Sequence, residues 1–596
     1  ITAYCGNGEA LPFLMQGLAK LEYRGYDSAG VTVLNNVLTT VKCKGRLKNL
    51  EEKLKDHDMT GHVGIGHTRW ATHGVPSNLN SHPHTNPSNT ISIVHNGIIE
   101  NYRELKDILL EKGYSFQSET DSEVVVMCLD YFYEGDLLEA VKKTLNCIDG
   151  SYALCIVSTE HPDEVVVAKK ASQLVIGRTE DASVAASDIP ALLAYTKDVY
   201  FLDDLEMAVL KKDSITFYSK DGKEITKEMT TIPYDMEAAQ KNGFDTYMLK
   251  EINEQPHVIQ ETLRGRIFEH SIVLDELKDV DFNKFNKVYY VACGTAYHAG
   301  LCGASILERA TRLPVLTQVA SEFRYNDPII DEKTLCIFVS QSGETADTLA
   351  ALKLANEKGC TTIAVTNVLG STISREAQHT LYTCAGPEIA VASTKAYTTQ
   401  LVLLTLIALY IADKRGDVVD TDLMEQLNNL PEYVSKLIDD ESIFENYAKA
   451  LKDKHDCYFI GRSLDYASVL EGALKLKEVS YVHADAYIAG ELKHGPIALI
   501  EPGTVVIAVA TQPHVAAKTI SNIQETIARG AEVILFTVEG QEVSGVENIY
   551  YLPDINPLLQ SILVAIPLQL IAYHTACIKG CDVDKPRNLA KSVTVE

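Results

Sequence analysis

The sequence contains no uninterrupted apolar run long enough to cross a membrane. The two longest apolar segments, Leu401–Ala412 and Leu558–Tyr573, are short or carry polar residues and a proline, whereas a helical span needs about 20 apolar residues. We therefore expect two buried helices and no membrane partner. The opening Ile-Thr-Ala-Tyr has neither a basic start nor a long apolar stretch, so we expect a cytoplasmic protein without a secretory signal.

Positive charge and paired cysteines are also scarce. There are 54 Lys and Arg against 81 Asp and Glu, a formal charge of −27. We expect no nucleic-acid partner, because sequence-independent binding needs clustered cations. The 13 cysteines are scattered; Cys577 and Cys581 lie close, but no second pair at zinc-like spacing accompanies them. This predicts reduced thiols rather than a metal site or disulfides.

The length of 596 residues is too great for one hydrophobic core and predicts several domains. Up to about residue 236, short strand-like runs alternate with helical patterns, which indicates an α+β domain with mixed sheets. A polar, helix-prone segment follows. We predict domains at residues 1–236, 264–440 and 441–596, with a linker at 237–263.

From Lys287 onward, buried strands alternate with long helices, the pattern of a doubly wound parallel sheet. The pattern restarts at Cys457–Ile460. A short echo supports this reading, because Ala-Ser-Glu-Phe-Arg at 320–324 resembles Ala-Gly-Glu-Leu-Lys at 489–493. We therefore predict two related halves in this part of the chain.

Ser340-Gln-Ser-Gly-Glu-Thr345 follows an apolar strand and opens a helix. Free N–H groups at a helix start favour anions, and the hydroxyls of Ser340, Ser342 and Thr345 add donors. The alternative is ordinary helix capping, but three hydroxyls and a glycine exceed what a cap requires. The segment predicts a phosphate site. No cofactor is expected, since Gly6-Asn-Gly8 lacks the third glycine of a dinucleotide fingerprint.

Several motifs spread over the whole chain resemble the glutamine–fructose-6-phosphate transaminase family. The motifs of the second part are Val339-Ser-Gln-Ser-Gly-Glu-Thr345, Val391-Ala-Ser-Thr-Lys395, Glu471-Gly-Ala-Leu-Lys-Leu-Lys-Glu478, Gly490-Glu-Leu-Lys-His-Gly-Pro496 and the terminal Pro586 to Glu596. Those of the first part are Glu22 to Gly30, Gly66-His-Thr-Arg-Trp-Ala-Thr-His-Gly74, His82-Pro-His84, His95-Asn-Gly-Ile-Ile-Glu-Asn101 and Ser118-Glu-Thr-Asp121. The resemblance implies an N-terminal-nucleophile (Ntn) hydrolase domain followed by tandem sugar-isomerase (SIS) domains. It implies conversion of fructose 6-phosphate and glutamine to glucosamine 6-phosphate and glutamate, with ammonia passed between domains.

The resemblance assigns the glutaminase residues. Asn96 and Gly97 would supply oxyanion donors, Arg69 would hold the glutamine α-carboxylate and Asp121 its α-ammonium. Further residues with implied roles are Thr72 and His73 in the glutamine pocket and Trp70 as a gate to the ammonia passage. The irregular spacing of the nearby histidines favours structural roles over a metal site.

The family nucleophile is an N-terminal Cys whose own α-amino group serves as the base. Ile1 aligns with the third residue of the family's Cys-Gly-Ile start, so we expect the nucleophile and its Gly just before Ile1. Cys5 is internal and lies several residues too late to replace it.

For the sugar reaction, the resemblance assigns Lys591 to a Schiff base with the open ketose, Glu478 to the proton shuttle and His494 to ring opening, with Lys475 assisting. A Lys/Glu pair at this spacing is otherwise usually a solvated ion pair. The residues expected to bind the sugar phosphate are Thr295, Ser340, Gln341, Ser342, Thr345, Val391 and Ser393. Ala296 departs from the family, which often has Ser there.

Three alternatives differ from this reading. A sugar-phosphate isomerase or deglycase would not need the glutamine-pocket motifs, and a non-catalytic sensor would not need Lys475, Glu478, His494 and Lys591 together. A purine-pathway amidotransferase would need a phosphoribosyl site, which the sequence does not indicate. The resemblance also implies a homodimer, in which His494 crosses between subunits.

Overall fold

The computed structural model describes residues 1–22, 25–70, 74–232, 241–268, 271–419 and 421–594. The chain forms two compact units. One consists of Ile1–Ala239 with Ser592–Glu596, and the other of Gln240–Lys591.

The first unit contains two antiparallel sheets packed on a shared core. Their strands are β1 (Thr2–Gly6), β2 (Ser28–Asn35), β3 (Val37–Lys44), β4 (Val63–Arg69), β5 (His84–Thr85), β6 (Ile91–Ile99), β7 (Gly150–Ser158), β8 (His161–Lys170), β9 (Val175–Arg178), β10 (Ala182–Ala186), β11 (Asp198–Phe201), β12 (Met207–Lys211), β13 (Ser214–Tyr218), β14 (Glu224–Ile225) and β15 (Thr230–Thr231). The eight-stranded sheet has the order β15-β11-β9-β10-β1-β4-β2-β3, and the seven-stranded sheet has the order β14-β13-β12-β8-β7-β6-β5. Apolar side chains of β1, β4, β7 and β8 meet between the sheets, which places these central strands in a water-free interior.

Helices cover the outer faces of both sheets. They are α1 (Ala10–Leu21), α2 (Leu47–Leu54), α3 (Tyr102–Glu111), α4 (Ser122–Phe132) and α5 (Leu137–Leu145). α1 packs on β1 and β4, whereas α4 packs on β6. At the start of α5, the Asp136 side chain accepts the N–H of Glu139, a local capping bond that α1 to α4 lack. The result is an α+β unit, as the sequence predicts. The named strands of both sheets pair antiparallel, however, whereas the sequence predicts mixed sheets.

The second unit contains two five-stranded parallel sheets with the same topology. Their strands are β18 (Lys287–Ala292), β19 (Val315–Val319), β20 (Thr334–Ser340), β21 (Thr361–Thr366) and β22 (His379–Tyr382), then β23 (Asp456–Gly461), β24 (His483–Ile488), β25 (Val505–Ala510), β26 (Glu532–Val538) and β27 (Asn548–Leu552); a small hairpin, β16 (Ile267–Phe268) with β17 (Ser271–Ile272), precedes them. The orders β19-β18-β20-β21-β22 and β24-β23-β25-β26-β27 correspond strand for strand. This confirms the predicted doubly wound halves and the restart near Cys457.

The echo between the halves also has a structural counterpart. Ala320–Phe323 form a short helix directly after β19, and Ala489–His494 form a 3-10 helix directly after β24. Each therefore follows the second strand of its sheet, so the similar sequences occupy matching places.

Long helices build the core of this unit. They are α6 (Tyr247–Asn253), α7 (Gln255–Leu263), α8 (Gly294–Thr311), α9 (Ala320–Phe323), α10 (Ala346–Glu357), α11 (Thr372–Glu376), α12 (Lys395–Arg415), α13 (Thr421–Asp439), α14 (Glu441–Lys449), α15 (Leu464–Ser480), α16 (Ala516–Ile527) and α17 (Gln560–Ile578). By length and composition, α12 and α17 could each span a membrane, but their apolar windows are 94% and 83% buried inside the protein. α12 contains the predicted buried segment Leu401–Ala412, and α17 contains Leu558–Tyr573 except for its first two residues.

Candidate active sites

The residues predicted to bind the charged groups of glutamine lie close together in the first unit. Arg69 ends β4, and its buried side chain donates from Nη2 to the carbonyl oxygen of Gly74 at 3.3 Å. Asp121 directly precedes α4, where its Oδ2 accepts the N–H of Ile99 at 2.8 Å. Burial lowers the pKa of Arg69, and Asp27 and Asp121 oppose that shift. Arg69 and Asp121, which are predicted to bind glutamine and carry opposite charges, therefore interact electrostatically.

The predicted oxyanion residues Asn96 and Gly97 lie side by side on β6. Asn96 Oδ1 is 2.8 Å from Nε2 of His67. Because Oδ1 can only accept, this bond requires the Nε2–H tautomer and leaves the Asn96 amide N–H groups to donate elsewhere. Gly97 has φ +131°, and a Cβ there would lie 2.1 Å from the carbonyl oxygen of Ser151. Only glycine fits this close approach of β6 to β7.

A cluster of neutral histidines lies around Asn96. Burial lowers the pKa of His67, His82, His84 and His95, so these rings stay uncharged near neutral pH. The rings of His67 and His82 stack with centroids 4.2 Å apart. Within the described residues, no group of three or more His, Cys, Asp or Glu is arranged to hold a metal ion. The described contacts of the cluster are ring packing and hydrogen bonds, such as the one between His67 and Asn96.

The remaining predictions for this unit concern a tryptophan, a loop and a cysteine. Trp70 is half-buried, and its ring meets Tyr26 edge to face at a centroid distance of 5.8 Å. Thr72 and His73 lie outside the described residues. Cys5 is buried in β1, its Sγ donates to the carbonyl oxygen of Asp163 at 3.2 Å, and burial raises the pKa of its thiol to about 12. A thiol held protonated in this way is a poor nucleophile.

In the second unit, the predicted phosphate loop joins β20 to α10. Ser340 Oγ accepts the N–H of Gly343 at 3.0 Å and lies 3.0 Å from Oγ1 of Thr345. Gly343 has φ +66°, and a Cβ there would lie 2.2 Å from Oγ of Ser371. Thr345 is the N-cap residue of α10 but makes no side-chain capping bond. Simple helix capping therefore does not account for its hydroxyl.

The backbone of the loop is fixed from its other side. The carbonyl oxygen of Gln341 accepts the N–H of Asn367 at 3.1 Å, and Oγ of Ser342 accepts the N–H of Glu344 at 3.2 Å. The Asn367 side chain donates in turn to the carbonyl oxygen of Gly386 at 2.7 Å. This chain of bonds links the loop to the segment that precedes Val391.

A buried charge network surrounds Lys475 on α15. Its Nζ lies 2.5 Å from Oε2 of Glu478 and 3.4 Å from Oε1 of Glu471, and it donates to Oγ1 of Thr295 at 3.0 Å. His298 Nδ1 lies 2.7 Å from the other oxygen of Glu471. Burial opposes the charged form of Lys475, but Glu478 and Glu471 outweigh it and raise the pKa of the lysine. Lys475 is therefore a permanent cation beside Glu478.

Lys591 lies in a second charge network of the same unit. Its Nζ forms an ion pair with the buried Glu388 and donates to the carbonyl oxygen of Ala390 at 2.9 Å. Oγ of Ser393 donates to Glu388 at 2.9 Å, while the N–H of Val391 donates to the carbonyl oxygen of Asp584. Glu388 thus holds both the predicted Schiff-base lysine and a predicted sugar ligand.

His494 is separate from these networks. It is exposed at the end of the 3-10 helix Ala489–His494. Within the described residues, its ring makes no hydrogen bond to Lys475, Glu478 or Lys591. The other predicted sugar-site residues fall into the loop, the Lys475 network or the Lys591 network.

The sequence motifs assign no role to Glu471, His298 or Glu388. Glu471 could have been inferred, because it lies one helical turn before Lys475 on the same face of α15. His298 and Glu388 reach the site through contacts between distant segments, for which a single sequence gives no signal.

Comparison with known proteins adds independent information. A family model described as a SIS domain matches residues 281–410 and 450–579, and one described as a glutamine amidotransferase domain matches residues 67–194. The chain is 54% identical to the glutamine–fructose-6-phosphate aminotransferase (isomerizing) of Clostridium tetani over 605 aligned positions, and 44% identical to that of Thermus thermophilus over 602, with 100% of each chain covered.

One solved structure is similar in both sequence and fold. It is the C-terminal domain of glucosamine-fructose-6-phosphate aminotransferase from Francisella tularensis, which is 38% identical with a TM-score of 0.56. The match covers 58% of this chain and 99% of that domain. The two parallel sheets of the second unit are therefore tandem SIS domains.

Proposed function

Because the chain belongs to the glutamine–fructose-6-phosphate aminotransferase (isomerizing) family, we propose that it transfers the amide nitrogen of glutamine to fructose 6-phosphate. The products are glucosamine 6-phosphate and glutamate. The observation that carries this proposal is the presence, in one chain, of Arg69 and Asp121 close enough to interact electrostatically and of a hydroxyl-rich loop accompanied by Lys591 and Glu478.

In the sugar site, the loop from Ser340 to Thr345 would hold the phosphate with its N–H and hydroxyl donors. His494 would open the sugar ring. Lys591 would lose a proton to the adjacent Glu388, add to C2 of the open ketose and release water, which forms an imine. A neutral amine is required for this attack, and Glu388 is the acceptor in direct contact with Nζ.

Ammonia then displaces the lysine at C2. Glu478 would move a proton from C1 to C2, while a second proton passes from the C1 hydroxyl to the nitrogen, giving an amine at C2 and an aldehyde at C1. Lys475, 2.5 Å from Glu478, would hold this carboxylate in place and stabilise negative charge that develops on the sugar. Thr295 would contribute by fixing Lys475, to which it is hydrogen-bonded.

In the glutamine site, Arg69 and Asp121 would bind the amino-acid groups, with Thr72 and His73 in the same pocket, and Asn96 and Gly97 would stabilise the oxyanion. The nucleophile would be the Cys of a Cys-Gly that precedes Ile1. A chain that begins at Ile1 should therefore release no glutamate from glutamine, whereas the same chain preceded by Cys-Gly should release glutamate. Glutamate release by the shorter chain that disappears in Cys5→Ala would contradict this assignment.

Trp70 would gate the passage of ammonia, since ammonia that escapes to water at neutral pH is protonated and loses its nucleophilic electron pair. In the chain preceded by Cys-Gly, Trp70→Ala should yield more glutamate than glucosamine 6-phosphate. Phe at the same position is the matched control, because it retains an aromatic ring. Equal yields in the Ala variant would contradict the gate.

We further propose a homodimer in which His494 serves the sugar site of the partner. The exposure of His494 and its separation from Glu478 within one chain support this arrangement. Dimers assembled from one His494→Ala chain and one Glu478→Gln chain should then contain one fully intact sugar site. Activity no higher in the mixture than in either variant alone would contradict it.

The test of the overall function uses glutamine labelled with nitrogen-15 in the amide. With fructose 6-phosphate and the chain preceded by Cys-Gly, the label should appear at C2 of glucosamine 6-phosphate, with an equal amount of glutamate. Isomerised sugar without label would favour a glutamine-independent isomerase or deglycase. Sugar binding without any product would favour a sensor.

A further inference from the structure

Glu251 is a buried carboxylate in a polar part of the sequence. It lies on α6, within the segment that the sequence analysis assigns to a linker, yet only 1% of its surface is exposed. α6 and the neighbouring α7 belong to the second compact unit. A carboxylate that is removed from water at this point needs a compensating structural or functional role.

The contacts of Glu251 lead directly to the predicted Schiff-base lysine. Its Oε1 accepts the N–H of Ile389 at 2.5 Å and the N–H of Ala390 at 3.2 Å. The carbonyl oxygen of the same Ala390 accepts a hydrogen bond from Nζ of Lys591 at 2.9 Å. Glu388, which directly precedes Ile389, forms an ion pair with that Nζ. Glu251 therefore fixes, through these two N–H groups, the short backbone segment that holds the amine of Lys591.

The electrostatic setting shows which form of Glu251 performs this role. Burial and the nearby Glu388 raise its pKa to about 8, although Lys591 and Lys395 oppose the shift. Near neutral pH the side chain is thus mostly neutral, and its acceptor oxygen matters more than its charge. The positive charge of Lys395 is met mainly by Glu254, whose Oε2 is 2.8 Å from the lysine Nζ.

We propose that Glu251 is a positioning residue for the sugar reaction, which holds the Glu388–Val391 segment so that the amine of Lys591 faces C2 of the substrate. This inference rests on the proposed role of Lys591. It assigns part of the sugar site to α6 and goes beyond the roles implied by the family resemblance. Loss of the acceptor should let Ile389 and Ala390 shift, which would misplace both contacts to Lys591.

The test is the rate at which cyanoborohydride traps fructose 6-phosphate on Lys591 in the full-length protein, read by peptide mass spectrometry. Glu251→Gln keeps an acceptor oxygen at the same reach and should trap within about 3-fold of the unchanged protein. Glu251→Asp withdraws the oxygen by one methylene and should lower both the trapping rate and the ammonia-dependent kcat about 10-fold. KM for fructose 6-phosphate should change less than 3-fold, because the phosphate loop is untouched.

Glu251→Ala removes the acceptor oxygen altogether and so tests the positioning role more severely. Glu261→Gln on α7 is the matched control for loss of a carboxylate. Glu261 pairs with Arg264, away from Lys591. Melting temperatures establish that each variant is folded. Trapping by Glu251→Asp at the unchanged rate, or a loss in Glu251→Gln equal to that in Glu251→Asp, would overturn the positioning role. Absence of any Lys591 adduct in the unchanged protein would instead overturn the proposed Schiff base, and the role of Glu251 with it.

Discussion

The two SIS halves share one topology but differ in the residues that are proposed to carry the chemistry. In the first half, the loop after the third strand is rich in hydroxyls, and α8 contributes Thr295 to the site. In the second half, the corresponding loop begins with Thr511 and Gln512, and α15 contributes Glu471, Lys475 and Glu478. The first half therefore supplies most of the predicted phosphate-binding hydroxyls together with Glu388, whereas the second half supplies Lys475, Glu478 and the terminal Lys591.

The second loop is also closed by a side chain of its own half. Asp465 is buried, and its carboxylate accepts both the N–H and the hydroxyl of Thr511. The corresponding position in the first half is Ala296, since β18 ends at Ala292 and β23 at Gly461. In the second half, the Asp465 carboxylate thus accepts the hydrogen bonds of the loop. In the first half, the methyl group of Ala296 leaves the corresponding space open. This comparison teaches that a duplicated fold need not duplicate a site.

The largest expected effect concerns the second half. Glu478→Gln keeps the shape of the side chain but cannot accept a proton, so ammonia-dependent synthesis of glucosamine 6-phosphate should fall by about 10³-fold. Binding of fructose 6-phosphate, followed by calorimetry, should be retained. The exposed Glu539→Gln is the control for loss of one acidic charge in this half. Turnover of Glu478→Gln near that of the unchanged protein would mean that Glu478 serves only as an ion-pair residue. It would also contradict the proposed difference in function between the two halves.

A smaller effect is expected in the first half. Thr345→Ala removes one hydroxyl that is proposed to donate to the phosphate, and a hydrogen bond to a charged group contributes about 1.5–3 kcal/mol. KM for fructose 6-phosphate should therefore rise about 10-fold or more, with kcat changed little. Val515 occupies the corresponding place in the second half, directly before α16. Equal effects of Thr345→Ala and Val515→Ala on KM would mean that the two loops do not differ in function.

The sequence could predict this difference between the halves only in part. Ser340, Gly343 and Thr345 form a local pattern between an apolar strand and a helix, and local patterns are visible in one sequence. Lys475 and Glu478 are also neighbours on one helix face. Glu388, in contrast, reaches Lys591 from a segment some 200 positions away in the chain. Such a pairing depends on tertiary packing, which composition and periodicity do not record.

The fold shows the same limit. The apolar patterns of β6, β7 and β13 are clear in the sequence, so strand-like runs of this kind can be predicted. The charged stretch around Lys250 and Glu251 is typical of a solvated surface, yet both side chains are buried. Charge usually indicates exposure because an unpaired ion is costly to bury. Here, Glu254 pairs with Lys250, and burial together with the nearby Glu388 raises the pKa of Glu251 so that this side chain is mostly neutral. The usual indication therefore fails.

The smallest expected effect concerns Asp465 and sharpens the comparison of the two loops. Burial raises the pKa of its carboxyl to about 6, although the hydrogen bonds from Thr511 and Gln512 oppose the shift. The folded chain therefore binds a proton at a higher pH than the unfolded chain, in which an Asp titrates near 4. When the pH falls from 7.5 to 5.5, this proton should stabilise the fold by about 0.8 kcal/mol.

Asp465→Asn cannot take up this proton, so the melting temperature of the unchanged protein relative to that variant should rise by about 2 °C over this range. KM for fructose 6-phosphate should stay within about 2-fold in Asp465→Asn, because the loop proposed to bind the phosphate is in the other half. A relative melting temperature that stays constant or falls on acidification would show that the carboxylate is not a buried, titrating occupant of the second loop.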